Sequence, residues 1–121
     1  MRFDIISLFP EALEAYTGTS ILRRAQEAGL VEVRIHQLRD FALDKHKTVD
    51  DTPYGGGAGM VLKIEPLAAC LEAVLGETAI PREKTRILVT SAKGPVYKQA
   101  TAKGLAVSYE RIVLVCGRYE G

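Results

Sequence analysis

The chain has 121 residues, of which 47% are hydrophobic, and a formal net charge of +1. This length fits one compact domain with one core, and the near-zero charge argues against a surface that binds polyanions over its whole area. The apolar stretch at the amino terminus is too short for a signal peptide and is interrupted by an acidic residue. No stretch approaches the ~20 apolar residues of a membrane span. Two cysteines, Cys70 and Cys116, have no disulfide or zinc spacing. We therefore expect a cytoplasmic protein with buried thiols and no membrane partner.

The first third of the chain predicts strand, helix and strand. Residues 2–8 are apolar and rich in β-forming side chains, and Pro10 suits the first position of a helix. That helix is interrupted in its middle, restarts with Ser20 as N-cap and ends at Gly29. Apolar and polar side chains alternate over residues 31–38, which predicts an edge strand or a strand with one wet face.

Residues 39–59 show no helical or strand period, and this irregular segment is long enough to suggest a functional loop. Predicted helices and strands resume after it. A helix is predicted over residues 65–76, a strand over 87–90, and a short helix from Pro95 to Gly104. The last strand, IVLVC at 112–116, is uniformly apolar, as a central parallel strand is. This order predicts an α/β fold with a mostly parallel sheet and helices on both faces. Ligands bind such sheets at the carboxyl ends of the strands, near a switch in strand order.

The charge is distributed unevenly along the chain. Residues 1–81 contain 8 Lys or Arg and 12 Asp or Glu, whereas residues 82–111 contain 7 and 2. The later segment either presents a basic face to phosphates or is an ordinary solvated surface. Its basic residues are Arg82, Lys84, Arg86, Lys93, Lys98, Lys103 and Arg111.

Residues 53–60, PYGGGAGM, form a glycine run that matches neither the phosphate-binding loop of nucleotide hydrolases nor the dinucleotide-binding turn. Its accessible amides are flanked by Asp50 and Asp51 as acceptors and by Lys45, His46 and Lys47 as donors. This mixture suits recognition of base edges in unpaired nucleic acid, because carboxylates accept from bases but repel phosphates. The alternative is a structural loop.

His36 and His46 are too isolated for a metal-ligand pattern.

The last six residues, CGRYEG, carry the residue types of a ligand site. Gly117 permits close approach of the backbone, Tyr119 offers a stacking face, and Glu120 is an acceptor or a cation partner. A plain exit from a strand is the alternative.

Three segments together resemble the bacterial tRNA (guanine-N1)-methyltransferase family: IISLFPE at 5–11, RDFALDKHKTVDDTPYGGGAGM at 39–60 and LVCGRYEG at 114–121. Members of this SPOUT-class family methylate the guanosine 3′ of the anticodon with S-adenosylmethionine. The resemblance runs over the whole chain in order. It implies a trefoil-knot methyltransferase domain, an exception to the rule against knots, and a homodimer that binds tRNA across its interface.

The resemblance also implies site residues. One donor-binding loop corresponds to Ser91, Ala92 and Gly94, and a second to Gly117, Tyr119, Glu120 and Gly121. Asp50 and Gly59 correspond to the region that contacts the target guanosine and its neighbour, and Glu120 is also a candidate ligand for magnesium. Three residues at two places depart from the family pattern, with Ala92-Lys93 in place of Pro-Gln and Ala58 in place of Pro.

Family members are about twice as long, so residues 1–121 are expected to be the amino-terminal part of the catalytic domain. The knot would then be incomplete, the carboxyl-terminal tRNA-binding domain absent, and the catalytic base located beyond Gly121. The expected activity belongs to the parent protein, and the fragment alone is expected to be inactive. The alternatives are an RNA-binding module without chemistry and a nucleotide-binding domain of another class.

Overall fold

The computed structural model describes residues 1–42, 50–51, 61–62, 64–91 and 94–116. In these residues the strands are β1 (Arg2–Ser7), β2 (Glu32–Gln37), β3 (Asp50–Asp51), β4 (Val61–Leu62), β5 (Thr85–Val89) and β6 (Arg111–Val115). The helices are α1 (Pro10–Thr17), α2 (Ser20–Glu27), α3 (Ile64–Gly76) and α4 (Gln99–Ser108), with 3₁₀ turns at Leu38–Phe41 and Arg82–Lys84. No helix among them is long and apolar enough to cross a membrane.

Four strands form one parallel sheet in the order β2-β1-β6-β5. Ile5 of β1 lies opposite Ile35 of β2 on one side and Leu114 of β6 on the other. The central position of β6 and the edge position of β2 confirm the predictions from their hydrophobic patterns. A second, antiparallel pair joins β3 to β4.

The helices cover both faces of the sheet, as predicted. The chain moves across the sheet in one direction from β1 to β2 and from β5 to β6, and in the opposite direction from β2 to β5. Because crossover connections are right-handed, α1, α2 and α4 belong to one face and α3 to the other. The guanidinium Nη1 of Arg111 lies 3.0 Å from the carbonyl oxygen of Val74, which places α3 against the β6 face that carries Arg111.

The main hydrophobic core lies between α3 and the sheet. The side chains of α3 that face it recur at the 3.6-residue period of a helix: Leu67, Cys70, Leu71, Val74 and Leu75. They pack against buried side chains of β1 and β6 and of the segments that follow β1 and β2: Ile6, Leu8, Leu38, Ala42, Val113 and Val115. Burial of each large aliphatic side chain contributes about 1.5–3 kcal/mol.

Two predicted helix boundaries are wrong. Thr19, in an extended conformation, is the N-cap of α2, and Ser20 is its first residue with a φ of 53°. The last helix spans Gln99–Ser108 instead of residues 95–104, since the backbone is extended at Lys98. Gly104 lies inside this helix with open space around it, so the helix continues through it at a cost of about 1 kcal/mol relative to alanine.

Replacement of two different glycines by alanine should change the free energy of unfolding in opposite directions. Gly29 follows α2 with a φ of +74°, a left-handed conformation in which a Cβ costs about 1–2 kcal/mol. Gly29→Ala should therefore lower the free energy of unfolding by about 1 kcal/mol, whereas Gly104→Ala in α4 should raise it by about 0.5–1 kcal/mol. Urea unfolding of both variants tests this, and shifts of the same sign would contradict it.

Candidate functional site

The carboxyl edge of the parallel sheet contains a switch point. From β1 the chain crosses to β2 on one side, whereas β6, which lies on the other side of β1, receives the chain from β5. The crevice between β1 and β6 is where ligands of open α/β sheets bind. The strand exits follow one another along this edge as Gln37 of β2, Ser7 of β1, Val115 of β6 and Val89 of β5.

The two turns predicted to form a site begin at neighbouring strand exits on this edge. The N–H of Thr90 donates to the carbonyl of Val115 over 3.0 Å, and the N–H of Cys116 donates to the carbonyl of Ile6 over 2.9 Å. The exits of β5, β6 and β1 are therefore joined in one row. The N–H of Gly94 lies 3.4 Å from the carbonyl oxygen of Ser91, and both residues are exposed. The other predicted donor-site residues, Ala92, Gly117, Tyr119, Glu120 and Gly121, lie outside the described residues, so the magnesium prediction for Glu120 does too.

Gly94 is not required by the backbone of its turn. Its φ is outside the left-handed region, and a Cβ there would meet only the carbonyl oxygen of Ser91, at an ordinary contact distance of 3.7 Å. Nothing in the local backbone therefore explains why position 94 is a glycine. Close approach of a ligand to the backbone would explain it.

The predicted substrate loop is closed at its base. Asp50 and Asp51 pair with Leu62 and Val61 in the antiparallel β3–β4 ladder. This pairing places Asp51, the residue before segment 52–60, beside Val61, the residue after it. Asp50 is thus placed at the start of the glycine-rich segment, while Gly59 lies outside the described residues.

Side chains hold the exits of β1 and β2 together, an arrangement that sequence reasoning missed. The hydroxyl oxygen of Ser7 accepts from the N–H of Phe9 over 3.0 Å. The Gln37 amide donates through Nε2 to the carbonyl of Leu8 over 3.3 Å, and its Oε1 accepts from the N–H of Arg39 over 3.2 Å. A serine two residues before a turn position is a local signal for the first of these bonds. The bonds of Gln37 depend on strand order.

A buried charge network occupies the opposite, amino-terminal edge of the sheet and was also missed. Asp4, at 0% exposure, accepts from Nε of Arg2 over 3.0 Å and lies 3.5 Å from Nη1 of Arg111. Arg111 also donates through Nε to the Thr85 hydroxyl over 3.3 Å. Burial lowers the pKa of Arg111, and the neighbouring Asp4 carboxylate opposes that shift. The network therefore links the amino-terminal halves of β1, β5 and β6.

Asp4, His36 and Glu77 lie close enough together to share a metal ion, since one ligand atom from each lies within 4.8 Å of the other two. Nε2 of His36 is 2.9 Å from Oδ1 of Asp4. Because Arg2 and Arg111 already supply positive charge to the same carboxylate, the cluster is accounted for as an ion-pair network.

An open cleft of about 480 Å³ lies at the same amino-terminal edge, between residues such as Met1, Glu32 and Glu110. It faces away from the carboxyl ends of the strands. We therefore assign it no role in the site.

The fold and the edge together define an α/β domain with a candidate ligand site at the switch point of a parallel sheet. The family model described as tRNA (Guanine-1)-methyltransferase TrmD matches residues 1–121. The chain belongs to this family, which confirms the resemblance found in the sequence.

Curated relatives and a solved structure agree with this assignment. Two proteins named tRNA (guanine-N(1)-)-methyltransferase, from Geobacter metallireducens and Thermomicrobium roseum, are 54% and 47% identical over all 121 residues, which cover 47% and 44% of those proteins. The crystal structure of the tRNA (m1G37) methyltransferase from Aquifex aeolicus superposes with a TM-score of 0.86 at 36% identity, covering 100% of this chain and 52% of that one. The chain spans about half the length of these relatives.

Proposed function

We propose that residues 1–121 form the amino-terminal part of the catalytic domain of a tRNA methyltransferase. The parent protein transfers a methyl group from S-adenosylmethionine to N1 of the guanosine 3′ of the anticodon. The observation that carries this proposal is the row of strand exits in which Thr90 and Cys116, the residues before the two predicted donor turns, bond to neighbouring strands over 3.0 and 2.9 Å. Family membership over the whole chain supports the same reaction.

In this proposal the donor lies between the turns that follow β5 and β6. The residues that hold it are Ser91, Ala92, Gly94, Gly117, Tyr119, Glu120 and Gly121. The described part fits such a ligand because Ser91 and Gly94 are exposed and the glycine is not required by local sterics. S-adenosylmethionine supplies an electrophilic methyl group when it is bound.

The substrate guanosine is proposed to meet the loop that begins at Asp50 and contains Gly59. A carboxylate such as Asp50 accepts from base imino and amino groups, and bare glycine backbone permits a base to approach closely. Attack by N1 requires removal of its proton, and we propose that the base for this step comes from the carboxyl-terminal part of the parent protein. A completed trefoil knot, a homodimer and a cytoplasmic location, where tRNA is found, belong to the same proposal.

An RNA-binding module without chemistry is the second candidate. It is favoured by the exposure of Lys84 and Arg86 around β5, of Lys98 just before α4 and of Lys103 on α4, all in the segment with excess positive charge. Donor binding separates the two candidates, because a module without chemistry has no use for S-adenosylmethionine.

The test is methyl transfer by the parent protein that carries residues 1–121. Purified parent protein should bind S-adenosylmethionine in calorimetry and should form N1-methylguanosine in an unmodified tRNA transcript, detected by mass spectrometry of the nucleosides. A transcript with adenosine 3′ of the anticodon is the control and should stay unmethylated. RNA binding without donor binding would favour the second candidate. Robust turnover by residues 1–121 alone would refute the expectation that the catalytic base lies elsewhere in the parent protein.

A further inference from the structure

The substrate segment, residues 43–63, contains both proposed substrate contacts and is attached to the hydrophobic core at both ends. The residue before it, Ala42, is buried in the main core. The residue after it, Ile64, begins α3. The 3₁₀ turn Leu38–Phe41, which leads into the segment, packs against α3. A shift of this 3₁₀ turn is therefore expected to shift the point from which the substrate segment starts.

The Gln37 side chain ties the 3₁₀ turn to the chain that follows β1. Its Oε1 accepts from the N–H of Arg39 over 3.2 Å, and its Nε2 donates to the carbonyl of Leu8 over 3.3 Å. The β1–β2 ladder ends with the pair Ser7 and Gln37, so these bonds extend the connection past the last paired residues. One planar amide thus fixes the 3₁₀ turn relative to Leu8.

The chain that Gln37 holds belongs to a strand that borders the crevice at the switch point. The N–H of Cys116, directly after β6, donates to the carbonyl of Ile6 over 2.9 Å. Leu8, two residues further along, is only 4% exposed. A row of bonds therefore runs from the exit of β6, through the exit of β1, to the 3₁₀ turn. Because its last step is made by a side chain, a substitution can break that step and leave the backbone ladders intact.

We propose that Gln37 is a positioning residue for methyl transfer, an inference that rests on the proposed function. Its amide sets the base of the substrate segment relative to the crevice between β1 and β6, and so the approach of the target guanosine to the donor. It acts through the chain at Leu8 and Arg39 rather than by touching either ligand. A displacement of about 1 Å can lower a rate about 100-fold, whereas loss of a neutral hydrogen bond changes stability little. Loss of the amide should therefore lower the rate much more than the stability.

The experiment compares two variants of Gln37 in the parent protein. Gln37→Glu keeps the shape of the side chain and the acceptor for Arg39, but it replaces the donor to Leu8 by a second acceptor. Gln37→Met keeps the length and removes both bonds without adding charge. The second variant therefore separates positioning from repulsion between a new carboxylate and the phosphates of RNA.

Gln26 provides the matched control. It is also partly buried, and its Nε2 donates to the carbonyls of Thr17 and Leu22 over 2.7 and 3.2 Å. It lies in α2 and lines the cleft at the amino-terminal edge of the sheet, away from the proposed site. Gln26→Glu and Gln26→Met therefore make the same chemical changes to a similar bond elsewhere.

Three quantities are measured: the single-turnover rate of N1-methylguanosine formation with enzyme in excess over tRNA and saturating S-adenosylmethionine, the dissociation constant for S-adenosylmethionine by calorimetry, and the melting temperature. Both Gln37 variants should lower the rate about tenfold to a hundredfold. Both Gln26 variants should keep it within about twofold of wild type. The two methionine variants should lose a similar melting temperature, about 2–4 °C, and donor affinity should not change in any variant.

Several results would overturn the inference. A rate of Gln37→Met within about twofold of wild type would do so, as would equal rate losses in Gln37→Met and Gln26→Met, which would assign the effect to stability. A loss of donor affinity as large as the loss of rate would place the effect at the donor site instead. If Gln37→Glu does not fold, Gln37→Met decides the matter, and failure of both to fold would make the amide a requirement of folding. Failure of the proposed function is distinguishable, because the wild-type parent protein would then form no N1-methylguanosine.

Discussion

Replacing Asp4 by asparagine is expected to lower the free energy of unfolding by about 3–5 kcal/mol. The substitution keeps the shape of the side chain but removes the negative charge that faces Arg2 and Arg111. Arg111 is only 1% exposed, and burial already lowers its pKa, so an uncompensated charge there is costly. Since small domains are stable by roughly 5–15 kcal/mol, the loss is a large fraction of the total. Urea unfolding at pH 7 measures it.

The control for this prediction is an exposed ion pair in the same sheet. Glu32 and Arg34 of β2 lie 2.8 Å apart, but about half of each side chain is exposed. Glu32→Gln should change the free energy of unfolding by less than about 1 kcal/mol. Equal effects of Asp4→Asn and Glu32→Gln would mean that burial does not govern the energy of the Asp4 network.

The sequence predicted the sheet well because burial leaves a simple pattern in strands. The continuous apolar run of β6 and the alternation in β2 correspond to a central strand and an edge strand. The buried charges were not predictable in this way. Arg2 and Asp4 lie on the same face of β1 as the buried Ile6, and a charged residue in a strand is ordinarily read as facing solvent. Only the pairing of β1 with β6 brings Arg111 to Asp4.

The candidate site was predictable where it depends on local chain order. A turn that follows a strand of a parallel sheet is at the carboxyl edge, so the Ser91–Gly94 turn could be located from the sequence. The link between the exits of β1 and β2 could not be, because it depends on the two strands being neighbours and on a bond from Gln37 to Leu8 that spans 29 residues. The end of α4 was missed because glycine inside a helix and glycine after a helix look alike in sequence.

The thiol of Cys70 gives the second large prediction, a loss of stability in alkaline solution. Burial between α3 and the sheet raises the pKa of Cys70 to about 11, with smaller contributions from Glu77 and Asp40. In the unfolded chain the thiol ionises near pH 8.5. Between these values the unfolded state has lost the proton that the folded state still holds, so stability falls as pH rises. The contribution is fully present below about pH 8 and is lost progressively toward pH 11, by about 3 kcal/mol for a shift of this size.

Urea unfolding of wild type and Cys70→Ala between pH 7.5 and 10.5 isolates this contribution, because other titrating groups act on both proteins. Cys70→Ala should be less stable at pH 7.5, since it leaves a small cavity in the core, but its stability should fall less steeply with pH. Cys116→Ala is the matched variant: burial also raises the pKa of Cys116, but this thiol is only partly buried, so its removal should flatten the curve less. If the wild-type and Cys70→Ala curves fall in parallel, the folded protein does not hold the Cys70 proton more tightly than the unfolded chain does, and the core between α3 and the sheet is looser than the full burial of Cys70 implies.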